Sequence, residues 1–265
     1  MTTADNSAVP DYQKLLRLDG KNYIVLGAGQ GMGRQMSHAL AQVGAKTFCV
    51  DVDAKRAEEI AAEVKGLAWS GDCTKRADVQ KLVDTAEKQM GRIDGFVDII
   101  GLAIWGSIFE TDDKKWDDQF DIVLRHAYLI SQIAGLRMKE TGGGTMTFIA
   151  SVSGLTGAPN HAAYGAAKAG LMAWVQSLAI ELAPFNIRAN AVAPGTTATP
   201  RVTALLKQSG RWDAEQANVP LGHLGEPADI AAAALFFSTP LSKQITGRTI
   251  VVDGGVNSKF PYRVS

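Results

Sequence analysis

From Lys21 onward the chain alternates short apolar runs with longer stretches whose apolar residues recur every three or four positions. The runs "NYIVLG", "KTFCVDVD", "GLAWSGD", "IDGFVDIIG", "GTMTFIAS", "IRANAVAP" and "TIVVDGG" have the length of strands. Between them, "MGRQMSHALAQVG", "AKRAEEIAAEVK", "RADVQKLVDTAEKQMG", "WDDQFDIVLRHAYLISQIAGLRMK", "HAAYGAAKAGLMAWVQSLAIELA" and "PADIAAAALFFS" read as helices. Strands that are apolar at nearly every position are buried on both faces, as in a parallel sheet covered by helices on each side. The alternation never resets. It predicts an α/β fold, a doubly wound parallel sheet in a single domain over residues 18–256. Residues 1–17 read as an N-terminal extension and 257–265 as a C-terminal tail. The least regular section, Thr196 to Gly225, mixes short helical stretches with Pro200, Gly210, Pro220 and Gly222 and suits either a mobile flap near a ligand or an ordinary surface excursion.

Composition narrows the class of partner. The 265 residues are 46% hydrophobic, enough for a sizeable core, and 27 basic residues balance 27 acidic ones. Without net charge or a dense basic run, neither nucleic acid nor a membrane surface is expected as partner, and a small molecule is. Cys49 and Cys73 have no metal-like spacing, so neither a disulfide framework nor a metal site is expected, and a reducing cytoplasm is the natural home. The opening "MTTADNSAVPDYQKLL" lacks the basic end and apolar block of a secretory signal.

Candidate chemistry begins after the first strand, where "GAGQGMG" leads into a helix. The spacing G-x-x-x-G-x-G, through Gly27, Gly31 and Gly33, permits left-handed backbone and close approach of a pyrophosphate to the free amides of a helix start. The second strand ends in "CVDVD", and Asp51 stands where a carboxylate accepts hydrogen bonds from an adenosine ribose and repels a 2′-phosphate. Gln30 and Val52 offer no cation, so NAD is favoured over NADP. Asp51 also suits a strand-end turn or helix cap, although Asp53 is better placed for the cap. Asp72 in "SGDCT" either reaches an adenine amino group or caps the following helix.

Tyr164 and Lys168 stand four residues apart on one helical face, and Ser151 ends an apolar strand thirteen residues before the tyrosine. Taken alone, Tyr-x-x-x-Lys is also a common surface pattern. With the glycine turn, "APGTTATP" at Ala193–Pro200 and "VDGG" at Val252–Gly255, these residues make the chain resemble the short-chain dehydrogenase/reductase family from about Leu18 to Gly255.

The resemblance implies a Rossmann-like sheet of about seven strands, a nicotinamide cofactor and a homotetramer. It implies that Tyr164 is the general acid/base, with Lys168 favouring its phenolate and holding the nicotinamide ribose, and that Ser151 binds the substrate oxygen. It further implies that Thr199 binds the carboxamide, that Ile149 and Pro194 line the nicotinamide pocket, and that Gln30, Met32, Cys73, Gly101, Gly195 and Thr197 join the cofactor site.

Two departures stand out. "DIIG", Asp98 to Gly101, replaces the family's "NNAG". In "DIVLRHAYL", Val123 takes the place of an asparagine thought to open its helix for a water relay to the lysine, and His126 takes the place of a glycine. His126 reads either as a helper in proton delivery or as an ordinary core histidine.

The expectation is an NAD(H)-dependent oxidoreductase that interconverts a secondary alcohol and its ketone. The alternative is an NAD-binding protein of the same family with weakened or lost catalysis. Trp105, Phe109, Leu155, Leu205 and Leu206 offer apolar contact, so the expected substrate is hydrophobic: cyclic, aromatic or steroid-like. Trp105, Ser151 and Tyr164 are its expected contacts.

Overall fold

A computed structural model of the chain describes residues 6–260. The strands are β1 (Asn22–Leu26), β2 (Lys46–Asp51), β3 (Leu67–Ser70), β4 (Gly95–Asp98), β5 (Gly144–Ile149), β6 (Ile187–Pro194) and β7 (Thr249–Val252). The helices are α1 (Tyr12–Leu15), α2 (Met32–Gln42), α3 (Ala54–Val64), α4 (Arg76–Met90) and α5 (Asp113–Phe120), then α6 (His126–Glu140), α7 (Ala162–Leu182), α8 (Pro200–Gln208), α9 (Trp212–Ala217) and α10 (Pro227–Ser238). Among the described residues the sheet has seven strands in the order β3-β2-β1-β4-β5-β6-β7, all pairs parallel.

The period-two geometry of a strand divides the apolar runs between two cores. On one face Ile24, Leu26, Phe48, Phe96 and Phe148 pack with Val79 and Leu82 of α4, Leu129 and Ile133 of α6, and Leu171 and Val175 of α7. On the other, Val25, Cys49, Val97 and Val192 meet Met36 and Leu40 of α2, Ile60 of α3, and Ile230 and Phe237 of α10. Tyr23, on the second face, places its hydroxyl 2.9 Å from Thr145 Oγ1 and donates to the Ser238 carbonyl at 2.7 Å.

The strand order reverses between β1 and β4, so the turns after these strands diverge and leave a crevice at the carboxyl edge of the sheet, where such folds bind ligands. Three local features differ from the pattern. The helical run 116–139 is broken: a π-helical turn, Asp121–Arg125, joins α5 to α6, and Val123 is fully buried within it. Section 196–225 contains α8 and α9, held by a small apolar cluster of Leu206, Val219 and Leu224 and closed at its base by the bridge Thr197–Gly225. The Leu18 amide bonds the Val43 carbonyl, α1 lies inside the predicted extension, and residues 1–5 and 261–265 of the two termini lie outside the described residues.

Candidate active site

The glycine turn after β1 is built for close approach. Gly27 and Gly31 have φ of 81° and 54°, in the left-handed region. A side chain at Gly33 would put its Cβ 1.9 Å from the Gly27 carbonyl, so only glycine lets the start of α2 sit against the turn. Gln30 and Met32 flank Gly31. The Gly31 Cα also faces Thr199, whose Cγ2 is 3.4 Å from where a Cβ would lie. The 194–199 loop therefore closes over the phosphate turn. Within it Gly195 donates to the Val252 carbonyl at 2.9 Å, Thr197 Oγ1 donates back to the Gly195 carbonyl at 3.1 Å, and Thr199 caps α8 through the Val202 amide. Pro194 is buried at the end of β6.

At the end of β2, Asp53 takes the helix-cap role, accepting from the Lys55 and Arg56 amides at 3.0 and 3.3 Å. Asp51 is thereby left at the turn: Oδ2 accepts from the Gly29 amide at 2.9 Å and Oδ1 from Asp53 at 3.0 Å. Gly29 is a member of the site that the spacing rule passed over, since a Cβ there would lie 2.5 Å from Asp51 Oδ2. Arg56 was also missed: its Cβ lies 2.7 Å from that same point, and its guanidinium is 3.5 Å from Asp53.

Two of the expected residues follow β3 and have contacts of their own. Asp72 accepts from Thr74 through both its amide and its hydroxyl, at 3.0 and 2.6 Å, so its carboxylate is engaged in its own turn. The Cys73 side chain points into the core, where burial pushes its thiol up, and offers a ligand nothing beyond its backbone.

Ser151, Tyr164 and Lys168 do come together. Ser151 follows β5 and heads a short 3-10 turn, its Oγ accepting from the Ser153 amide at 3.1 Å, and its hydroxyl is near enough to Tyr164 to act on the phenol. Lys168 Nζ stands 5.8 Å from the Tyr164 ring centre and donates to the Ile149 carbonyl at 2.6 Å. Ile149 itself is buried in the core and contributes this carbonyl. Gly101, with φ of 155°, lies against the ammonium: a Cβ there would be 2.8 Å from Nζ.

Burial raises the Tyr164 hydroxyl above its ordinary value, and the Ser151 hydroxyl opposes that rise. In the protein alone, then, burial outweighs the phenolate-favouring effect expected of Lys168. Burial lowers Lys168 to about 8, with Asp98 acting in the opposite sense. The lysine is about nine-tenths charged at neutral pH by that value.

Trp105 reaches this centre through a residue absent from the sequence-derived set. Its ring lies 3.9 Å from that of His161, which in turn lies 5.5 Å from Tyr164. His161 precedes α7 and ends the stretch between the serine and the tyrosine, which was the one available signal for it.

Residues 27–257 match a family model described as enoyl-(acyl carrier protein) reductase. The chain belongs to the short-chain dehydrogenase/reductase family. An NAD-dependent glycerol dehydrogenase of Listeria innocua is 30% identical, over 94% of this chain and 98% of that one. A D-threitol dehydrogenase of Mycolicibacterium smegmatis is 33% identical, over 92% and 95%. Among solved structures, a 7α-hydroxysteroid dehydrogenase in complex with NADH and 7-oxo glycochenodeoxycholic acid superposes with a TM-score of 0.87 at 28% identity, covering 93% of this chain and 98% of that one. These family members are dehydrogenases that act on alcohols, polyols among them. Among the described residues no helix is long and apolar enough to cross a membrane.

Proposed function

We propose that the protein is an NAD(H)-dependent oxidoreductase that interconverts a hydrophobic secondary alcohol and its ketone. The observation that carries this reading is the gathering of Ser151, Tyr164 and Lys168, with the Lys168 ammonium 5.8 Å from the tyrosine ring centre and Ser151 acting on the phenol. Bound at the glycine turn, a nicotinamide cofactor would supply the hydride acceptor or donor. The chain's own residues handle the proton: the Tyr164 hydroxyl gives it to a ketone oxygen, or as phenolate takes it from an alcohol, while Ser151 Oγ holds the same oxygen. Lys168 spends one of its three N–H donors on Ile149 and keeps two for a ribose, and its charge favours the phenolate.

The fit to a dinucleotide rests on the left-handed glycines, the Gly33 contact that admits no side chain, and the Asp51 carboxylate at the end of β2, each of whose oxygens accepts one backbone N–H and keeps a lone pair for a hydroxyl. Asp51 favours NAD over NADP, because a 2′-phosphate would meet a negative charge, and the guanidinium of nearby Arg56 is drawn toward Asp53. Support for an apolar substrate comes from the half-exposed Trp105 against His161 and from the exposed Leu155 and Leu205. The steroid dehydrogenase favours such a substrate and the two polyol enzymes do not. Exposed Leu136 on α6 and Ile180 on α7 support assembly into a homotetramer, and two unpaired buried cysteines suit the cytoplasm. The test is NADH absorbance with cyclic, aromatic, steroidal and polyol alcohols, with Tyr164→Phe as control. Turnover that survives in Tyr164→Phe would remove the assigned acid/base, and equal rates on polyols would remove the apolar substrate.

A further inference from the structure

Asp98 at the end of β4 and His126 at the start of α6 form a pair whose side chains are each 1% exposed. His126 Nε2 lies 3.1 Å from Asp98 Oδ2, and Asp98 Oδ1 accepts from the Ile100 amide at 3.1 Å. That approach has the length of a hydrogen bond without its alignment, and Oδ2 and His126 Nδ1 both lack a hydrogen-bond partner. A carboxylate so buried needs a positive charge close by.

An imidazolium would satisfy that need poorly, because it would strand a buried N–H at Nδ1. A neutral ring with its proton on Nε2 leaves only a lone pair there, which costs less. The cation on the neighbouring strand edge is Lys168, itself 2% exposed, and Asp98 acts on its charge. The lysine is anchored on the Ile149 carbonyl of β5, one residue beyond the position that pairs with Asp98.

We propose that Asp98, steadied by His126, is the counter-charge that keeps Lys168 an ammonium in a dry site. On the dehydrogenase reading, both are positioning residues for the proton chemistry at Tyr164. The other titratable groups facing the pair carry no charge at neutral pH. Cys73, on the turn after β3, is pushed up by burial and by Asp98 itself, and Tyr164 on α7 is pushed up by burial. Asp72, Asp78 and Asp51 act on the Cys73 thiol and bring no positive charge to Asp98. Burial drives Lys168 toward the neutral amine, and Asp98 resists it.

The test titrates the Lys168 13Cε resonance of the full chain, assigned by its loss in Lys168→Met. The wild-type midpoint is expected at about 8. Asp98→Asn, which keeps the shape and removes the charge, should lower it by about one pH unit or more, a tenfold change in the ammonium-to-amine ratio. His126→Gln retains an N–H donor and should leave the midpoint near wild type, whereas His126→Leu should lower it. An unchanged midpoint in folded Asp98→Asn overturns the proposal. Should that variant fail to fold, the Asp98 13Cγ shift in the wild type decides: a carboxylate at pH 7 supports the pairing and a protonated acid refutes it. These readouts need neither cofactor nor substrate. A lowered midpoint in a protein that turns over no alcohol would sink the enzymatic reading alone, and turnover with an unchanged midpoint would sink this inference alone.

Discussion

Lys168 imposes a cost on the fold whose size follows from its burial. The side chain is enclosed within the protein, and its pKa falls from 10.5 to about 8. Below about pH 8 native and unfolded chains are both protonated at this group, and the native state bears the full cost of a buried ammonium. Between 8 and 10.5 the unfolded chain still binds the proton that the native state gives up, so this group adds stability as pH rises. At 1.36 kcal/mol per pH unit the cost at pH 7 is roughly 3 kcal/mol, of which about 2.5 kcal/mol is recovered by pH 10. Lys168→Met removes the titration and also the hydrogen bond to the Ile149 carbonyl, a loss of about 1–3 kcal/mol that does not vary with pH. The absolute change at pH 7 is therefore small, and the pH dependence of the difference is diagnostic. Urea unfolding of both proteins at pH 7, 8, 9 and 10, at one protein concentration, should show the wild type gaining on the variant by about 2.5 kcal/mol across the series. A difference constant to within about 0.5 kcal/mol would mean that the ammonium is not desolvated and that the reasoning fails.

Tyr164→Phe should reduce turnover by about a hundred-fold to ten-thousand-fold while NADH binding, followed by fluorescence, stays within about twofold. Gly33→Ala drives a methyl group into the Gly27 carbonyl and should abolish cofactor binding in the same assay, with a lower melting temperature. Asp51→Ser removes the carboxylate that would repel a 2′-phosphate and should raise the NADPH-to-NADH ratio of kcat/KM by about tenfold or more; an unchanged ratio would shift the discriminating role to Arg56. Trp105→Ala takes away the ring stacked on His161 and should cost about 1–2 kcal/mol in kcat/KM for ring-bearing alcohols, with little effect on small ones.

The sheet was legible because burial on both faces leaves a plain signature: apolar runs such as "NYIVLG" and "IRANAVAP" became β1 and β6 within a residue or so of the reading. The glycine turn and the Ser151, Tyr164 and Lys168 set were legible because backbone freedom and hydrogen-bond chemistry demand specific residues at fixed spacing. What escaped was whatever depends on contacts between distant segments. Gly29 sits outside the G-x-x-x-G-x-G frame, and its need for a bare Cα comes from the carboxylate of Asp51 on the neighbouring strand. His161 matters through rings contributed by Trp105 and Tyr164. The π-helical turn at Asp121–Arg125 contains neither glycine nor proline to mark it, so "WDDQFDIVLRHAYLISQIAGLRMK" reads as one element.

The two departures from the family pattern look unrelated in sequence, yet the fold joins them. Asp98 in place of an asparagine puts a charge inside the protein, and such a charge survives only beside a partner. His126, in place of a glycine on the other segment, is the side chain that meets it, at 3.1 Å. Val123 lies three positions earlier, in a turn that is already π-helical, so in this chain the opening of the helix requires no side-chain amide. A π-helical turn adds a residue to the regular helical repeat and is found mostly where function has favoured the irregularity. Loss of the asparagine therefore does not by itself imply loss of catalysis. What the lysine needs, in a site this dry, is a compensating negative charge, and Asp98 is the carboxylate that acts on it. On that proposal, the distinction between a working enzyme and a cofactor-binding relative turns on the charge state of Lys168 rather than on the residue at 123.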